Sequence, residues 1–254
     1  SYIEWPQWEY KRVPGFGKVK LNDIVVFNGD RNKKGSIYLV AKGGLPNQAH
    51  QQMDCGTFIV ESDGVLWTED LGADDYDLPG FWDGKPGGQR WKYFRNNNFS
   101  HNVINIDHSL QYANGHAFVC EEHPEAKQPS VKLNLCEVYK EKAKSAYRKF
   151  TLLNNYTIEV EDEVNLLDAG SKVSWVAGTK ANVEVNGNKA HFMRNGKHFY
   201  MQIIAPAGAV FKTYPAKNTY KGEKTIEGIT MLEAECSFKE TDGKVTIQMS
   251  SKKF

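Results

Sequence analysis

Short runs in which apolar and polar side chains alternate commit this chain to β-structure, because successive residues of a strand point to opposite faces. Such runs, rich in Val, Ile, Thr, Phe and Tyr, fall at residues 24–27, 37–41, 57–61, 65–68, 102–106, 157–164, 199–205, 231–238 and 245–249. Asp63-Gly64, Asn186-Gly187, Asn195-Gly196 and Asp242-Gly243 lie between or beside them as hairpin signals. These pairs suit tight turns whose central positions need positive φ, which Gly adopts without a Cβ clash. Residues 137–149, rich in Lys, Glu and Ala, could form a helix, although 131–136 and 147–153 around them look extended. Many strands at short spacing with no βαβ rhythm predict an all-β chain folded as a large antiparallel β-sandwich.

The chain has 254 residues, enough for one large domain with a proper core. We expect the sandwich to occupy residues 21–254, preceded by an aromatic linker or docking segment at 1–20 that carries Trp5, Trp8 and Tyr10. Lys and Arg number 32 against 31 Asp and Glu, a net charge of +1. That balance excludes a general attraction to nucleic acid, so anion recognition must come from local clustering. No apolar run reaches the roughly eighteen residues that a membrane-spanning helix needs. Beginning at Ser1 with neither an initiator Met nor a charged-then-apolar leader, the chain reads as a trimmed piece of a longer protein. Cys55, Cys120, Cys136 and Cys236 form no CxxC pair, which argues against a zinc ribbon, and Cys55 and Cys236 read as buried free thiols.

Chemistry concentrates between residues 43 and 111. Residues 74–89, with Pro79, Gly80, Phe81, Trp82, Pro86 and Gly88, make a loop too long for mere connection. Around it lie His50-Gln51-Gln52-Met53-Asp54, then Trp67-Thr68-Glu69-Asp70-Leu71-Gly72 with Tyr76 close behind. Arg90-Trp91-Lys92-Tyr93-Phe94-Arg95 and His101-Asn102 follow. If the strands pair as neighbours in a meander, His50, Asp54, Asp70, Arg90, Arg95, His101 and Asn102 converge at one rim. Imidazoles, carboxylates and guanidiniums gathered there suit a divalent metal or an anionic ligand. The bland alternative for each residue alone is a local hydrogen-bonded network, and for Arg95 a buried pair with Asp70 or Asp107. His108, His116, His123, His191 and His198 show no partner pattern and are read as surface or structural. The basic runs 140–149 and 251–253 are read as solvated faces.

The succession His50-x-Gln52-Met53-Asp54, the Asp63-Gly64 hairpin into Trp67-x-x-Asp70-x-Gly72, Arg90-Trp91-x-x-Phe94-Arg95 and His101-Asn102 resembles the β-sandwich region of heparinase II/III-like polysaccharide lyases. Residues 147–150 and 160–164 resemble it more loosely. The resemblance implies the C-terminal domain of a toroid-plus-sandwich lyase, with the helical toroid absent from this chain and expected as its partner in the same parent protein. It implies β-elimination on a uronic-acid-containing polysaccharide, of glycosaminoglycan or alginate type, and a periplasmic or secreted location. Elimination needs neutralisation of the uronate carboxylate, a base for the C5 proton and an acid for the leaving oxygen. By the same resemblance the catalytic Tyr lies on the toroid, the isolated chain is inactive, and His50 matches the sandwich's catalytic histidine.

The resemblance also implies a metal site, usually zinc, in which Asp70 and His101 match two ligands and Gln52 stands where a second histidine is expected. An amide oxygen is the poorer zinc ligand, so a weakened or empty site is expected, with hydrogen bonds from Gln52 to Asp70 partly imitating the metal. Arg90 and Arg95 suit uronate or sulfate contacts, and Trp82 and Trp91 suit stacking on sugar faces. The alternative from another class is a non-catalytic carbohydrate-binding or scaffolding sandwich.

Overall fold

The computed structural model describes residues 17–19, 22–30, 32–48 and 50–254. The expected aromatic segment at 1–20 therefore lies outside the described residues, apart from β1 (Gly17–Val19), which is already an edge strand. It opens an antiparallel meander with β2 (Asn22–Asn28), β3 (Ile37–Lys42), β4 (Phe58–Ser62) and β5 (Val65–Leu66). A second sheet of eight strands contains, in spatial order, β12 (Asn182–Asn186), β13 (Lys189–Arg194), β14 (Lys197–Ala205), β17 (Asp242–Ser250), β10 (Thr157–Leu166), β9 (Ala143–Asn154), β8 (Ser130–Asn134) and β7 (Phe118–His123). A third, of four, runs β15 (Phe211–Pro215), β16 (Thr230–Ser237), β11 (Lys172–Thr179) and β6 (Ile104–Ile106). The pairings are antiparallel, as the alternation predicts. No helix among the described residues is long and apolar enough to cross a membrane.

The inward residues of all three sheets meet in one core. Phe58 of β4 packs against Phe150 of β9 and Trp175 of β11, and Trp67 stacks on Phe199 of β14 at 5.3 Å. Burying such rings drives assembly, each full side chain contributing about 1.5–3 kcal/mol. The Asp63-Gly64 and Asn195-Gly196 turns have positive φ at both central residues, the geometry that lets two residues join strands of native twist. Asp242-Gly243 is different. It begins β17, which pairs with β10 and β14 rather than with the preceding β16, so the chain changes sheets where a hairpin is expected.

Residues 137–149, whose composition allows a helix between extended neighbours, are mostly strand. Only one turn, α1 (Cys136–Tyr139), is helical, and β9 follows. Ala146, Arg148, Phe150 and Leu152 all face inward, so packing overrides the helix-forming composition. Arg148 is also no part of a solvated face. It is fully buried and grips Asp162 of β10 bidentately at 2.7 and 2.8 Å, while Nη1 donates to the carbonyls of Gly56 and Asn102. The clamp ties the eight-stranded sheet to the loops that carry the rim. All four cysteines are free; burial pushes the Cys55 thiol up, and that of Cys236 to about 12.

Candidate functional site

Three chain segments build the rim: the β3–β4 connection, the stretch after β5, and the loop leading into β6. Asn102 fastens them together. Its Nδ2 donates to the carbonyls of Phe58 and Glu69, and its Oδ1 accepts from the N–H of Gly178. Asn102 is thus a buried staple between sheets rather than a ligand-facing group.

Behind the rim, Asp54, Asp70 and His101 bring one ligand atom each within 4.8 Å of one another. His101 is buried, and its Nδ1 lies 3.2 Å from Asp70 Oδ2, an ion-pair distance without hydrogen-bond alignment. Both His101 ring nitrogens and Asp54 Oδ1 are buried without hydrogen-bond partners. Burial works to lower the His101 pKa, but the Asp70 and Asp54 carboxylates outweigh it and hold the imidazole above its ordinary value. For Asp70, burial works upward, and His101 with the Gly72 N–H holds the carboxyl below its usual range. Lys42 approaches from the other side, 2.8 Å from Asp54 Oδ2 and 2.8 Å from Gln51 Oε1.

One imidazole and two carboxylates are a donor set for zinc or a harder divalent ion, and the orphaned atoms are ones that such an ion satisfies. The residues present therefore fit a cation. Asp54 joins Asp70 and His101 as a donor within reach, while Gln52 is buried and its Nε2 donates to Gly72 O at 3.2 Å and Asn96 Oδ1 at 3.4 Å. The hydrogen bond expected from Gln52 to Asp70 is not formed. Asp54 belongs to the cluster that the sequence places at the rim.

At the front, His50 sits at φ 64°, a left-handed conformation that a non-glycine residue adopts infrequently. Its exposed ring stands edge-on to Tyr76 at 5.6 Å and to Trp82 at 5.5 Å, with Nδ1 3.4 Å from Tyr76 Oη. Tyr76 and Trp82 are themselves exposed, and Trp82 at 57% keeps a ring available to a ligand.

The other two aromatic and basic candidates separate. Arg90 is buried among Phe81, Trp82 and Trp91, with its Cζ 4.8, 6.0 and 5.5 Å from their ring centroids. Its guanidinium donates to the carbonyls of Phe81 and Gln51, so it braces the segment holding His50 and has no exposed face for a uronate. Trp91 is only 2% exposed and donates Nε1 to the Gly84 and Lys85 carbonyls, which leaves no ring face for a sugar. Arg95 pairs with Asp74 at 3.9 Å, not with Asp70 or Asp107, and donates to the carbonyls of Leu71 and Thr225. The 217–228 loop is locked to this region through Glu223, which accepts from the N–H groups of Phe94, Thr219 and Tyr220. No spacing in the sequence announces that contact.

The family model for the heparinase II/III-like C-terminal domain matches residues 11–231, so the chain belongs to that family. Among solved structures, it is similar to a heparinase III gene product at 18% identity and TM-score 0.69, covering 92% of this chain and 35% of that one. Similarity also extends to a mutant of the heparan sulfate lyase HepC from Pedobacter heparinus, at 14% identity and TM-score 0.70, covering 93% of this chain and 37% of that one. At these identities the likeness establishes the fold, and the chain spans little more than a third of those structures. No curated protein matches.

Proposed function

We propose that this chain is the sandwich part of a lyase that cleaves uronic-acid-containing polysaccharide by β-elimination, outside the cytoplasm, with a helical domain of a longer parent protein closing the cleft. The observation that carries this reading is His50, presented with an exposed ring among the exposed aromatics Tyr76 and Trp82, in a chain whose Asp54, Asp70 and His101 can hold a cation. In the base role its Nε2 must carry the lone pair. That tautomer keeps the proton on Nδ1, where Tyr76 Oη at 3.4 Å can accept it. Tyr76 is then the residue that orients His50, and Trp82 supplies a surface for a pyranose ring. Asp54, Asp70 and His101 would hold a divalent cation, which supplies fixed positive charge that braces the rim. Arg95, which is not fully buried, is the remaining basic candidate for a carboxylate or sulfate at the rim's edge.

The test is the rise in ultraviolet absorbance of unsaturated uronate when the parent protein meets heparin-type, chondroitin-type and alginate substrates. A signal on any of them supports elimination and names the substrate. Polysaccharide binding without a signal contradicts it and favours a non-catalytic carbohydrate-binding sandwich.

A further inference from the structure

The sequence offers His191 and His198 as unremarked surface residues, yet the fold places them together, on the solvent face of the eight-stranded sheet and far from the rim in chain order. In β13 and β14, Ala190, Phe192, Phe199 and Met201 face the core, so His191, His198 and Tyr200 face outward. The Asn195-Gly196 turn sets the register: Met193 opposes His198 and His191 opposes Tyr200. His191 Nε2 and His198 Nδ1 come within 2.9 Å of each other. On the neighbouring strand, Glu184 opposes His191 and places Oε2 3.8 Å from its Nδ1. Tyr200 lies flat on the His191 ring, 4.9 Å away and within 4° of parallel. Beside them opens a cleft of about 380 Å³ lined by Glu184, Lys189, His191, Tyr200 and Phe254.

We propose that His191 and His198 form a surface chelate for a divalent transition-metal ion of borderline softness, such as zinc, separate from the triad behind His50. Two imidazole nitrogens bound tetrahedrally at about 2.0–2.1 Å lie roughly 3.3 Å apart, so the 2.9 Å pair must open by a few tenths of an ångström and the exposed His198 ring must turn until both lone pairs converge on the ion. The Glu184 carboxylate favours a proton on His191 Nδ1, which leaves the Nε2 lone pair facing His198. His198 then donates from Nδ1. Moving that proton to its own exposed Nε2 frees the second lone pair, with no net change in protons. Tyr200 holds the His191 ring in plane, which reduces the ordering cost of binding. Imidazole donors select zinc, nickel or copper over magnesium and calcium. Water completes the coordination, because His198 is exposed and His191 only partly covered.

Calorimetric titration of the 254-residue chain with zinc chloride tests this, using His191→Ala, His198→Ala, Glu184→Gln and His101→Ala variants checked for native circular dichroism. We expect one equivalent of zinc to be lost in both His191→Ala and His198→Ala and kept in His101→Ala. Glu184→Gln should weaken that equivalent by about ten-fold. Zinc binding unchanged in His198→Ala, or no His101-independent zinc binding by the unsubstituted chain, overturns the proposal.

Discussion

Two charge clusters sit on the same two loops, one wholly buried and one with its Asp70 exposed, and they are built to opposite specifications. The Arg148–Asp162 clamp is complete: the guanidinium uses two donors on the carboxylate and a third nitrogen on two carbonyls, with both side chains at 0% exposure. The Asp54–Asp70–His101 triad is incomplete, with both imidazole nitrogens and one carboxylate oxygen unpaired. A satisfied cluster holds a fold in one arrangement. An unsatisfied one stores a binding capacity, because each orphaned buried group costs about 1–3 kcal/mol until a ligand meets it. The comparison teaches that hydrogen-bond completeness separates a cluster that holds the fold from one with unsatisfied atoms close enough to meet a cation.

That contrast can be broken by substitution. Arg148→Met leaves Asp162 buried without its partner and orphans the Gly56 and Asn102 carbonyls. It should destabilise the chain by about 3–5 kcal/mol in chemical denaturation. Replacing Asp162 as well should recover only part, since the two carbonyls stay unpaired. At the rim the sign reverses: adding a divalent cation should stabilise the unsubstituted chain, by about 2.7 kcal/mol at a hundred-fold excess over Kd. The stabilisation should vanish in His101→Ala apart from any part carried by His191 and His198; a clamp-like loss without cation would make the triad structural.

Lys42→Met sharpens the comparison further. The ammonium competes for Asp54, so its removal should raise cation affinity at the rim by roughly ten-fold in a competition titration. A smaller effect is expected from pH. His101 has a raised pKa and must lose its proton to ligate, so cation affinity at the rim should climb as pH rises through a window above the ordinary imidazole value of 6.5. Titrations at several pH values on the His191→Ala background check this.

Much of the fold was legible because its information is local. Alternation located the β2, β3, β4, β10, β14, β16 and β17 strands, and Asp63-Gly64 and Asn195-Gly196 announced their own turns. What was not legible depends on pairing between distant residues. Arg148 sits in a basic run that looks solvated until Asp162 of the next strand is placed opposite it. Asp242-Gly243 has a hairpin's chemistry, yet the strand before it belongs to another sheet. At the rim, the sequence cluster holds Asp54, Asp70 and His101, which the fold brings together. The burial of Arg90 and Trp91 follows from how the segment after the 74–89 loop folds back on the β3–β4 connection, which no spacing reveals.

The most direct measurement pairs activity with stability in one variant of the parent protein, His50→Ala, on whichever polysaccharide gives the unsaturated-uronate signal. The exposed ring contributes little to packing, so the melting temperature should hold while elimination falls by about 10²–10⁴-fold. Elimination that persists near its original rate in a folded His50→Ala protein would contradict the account.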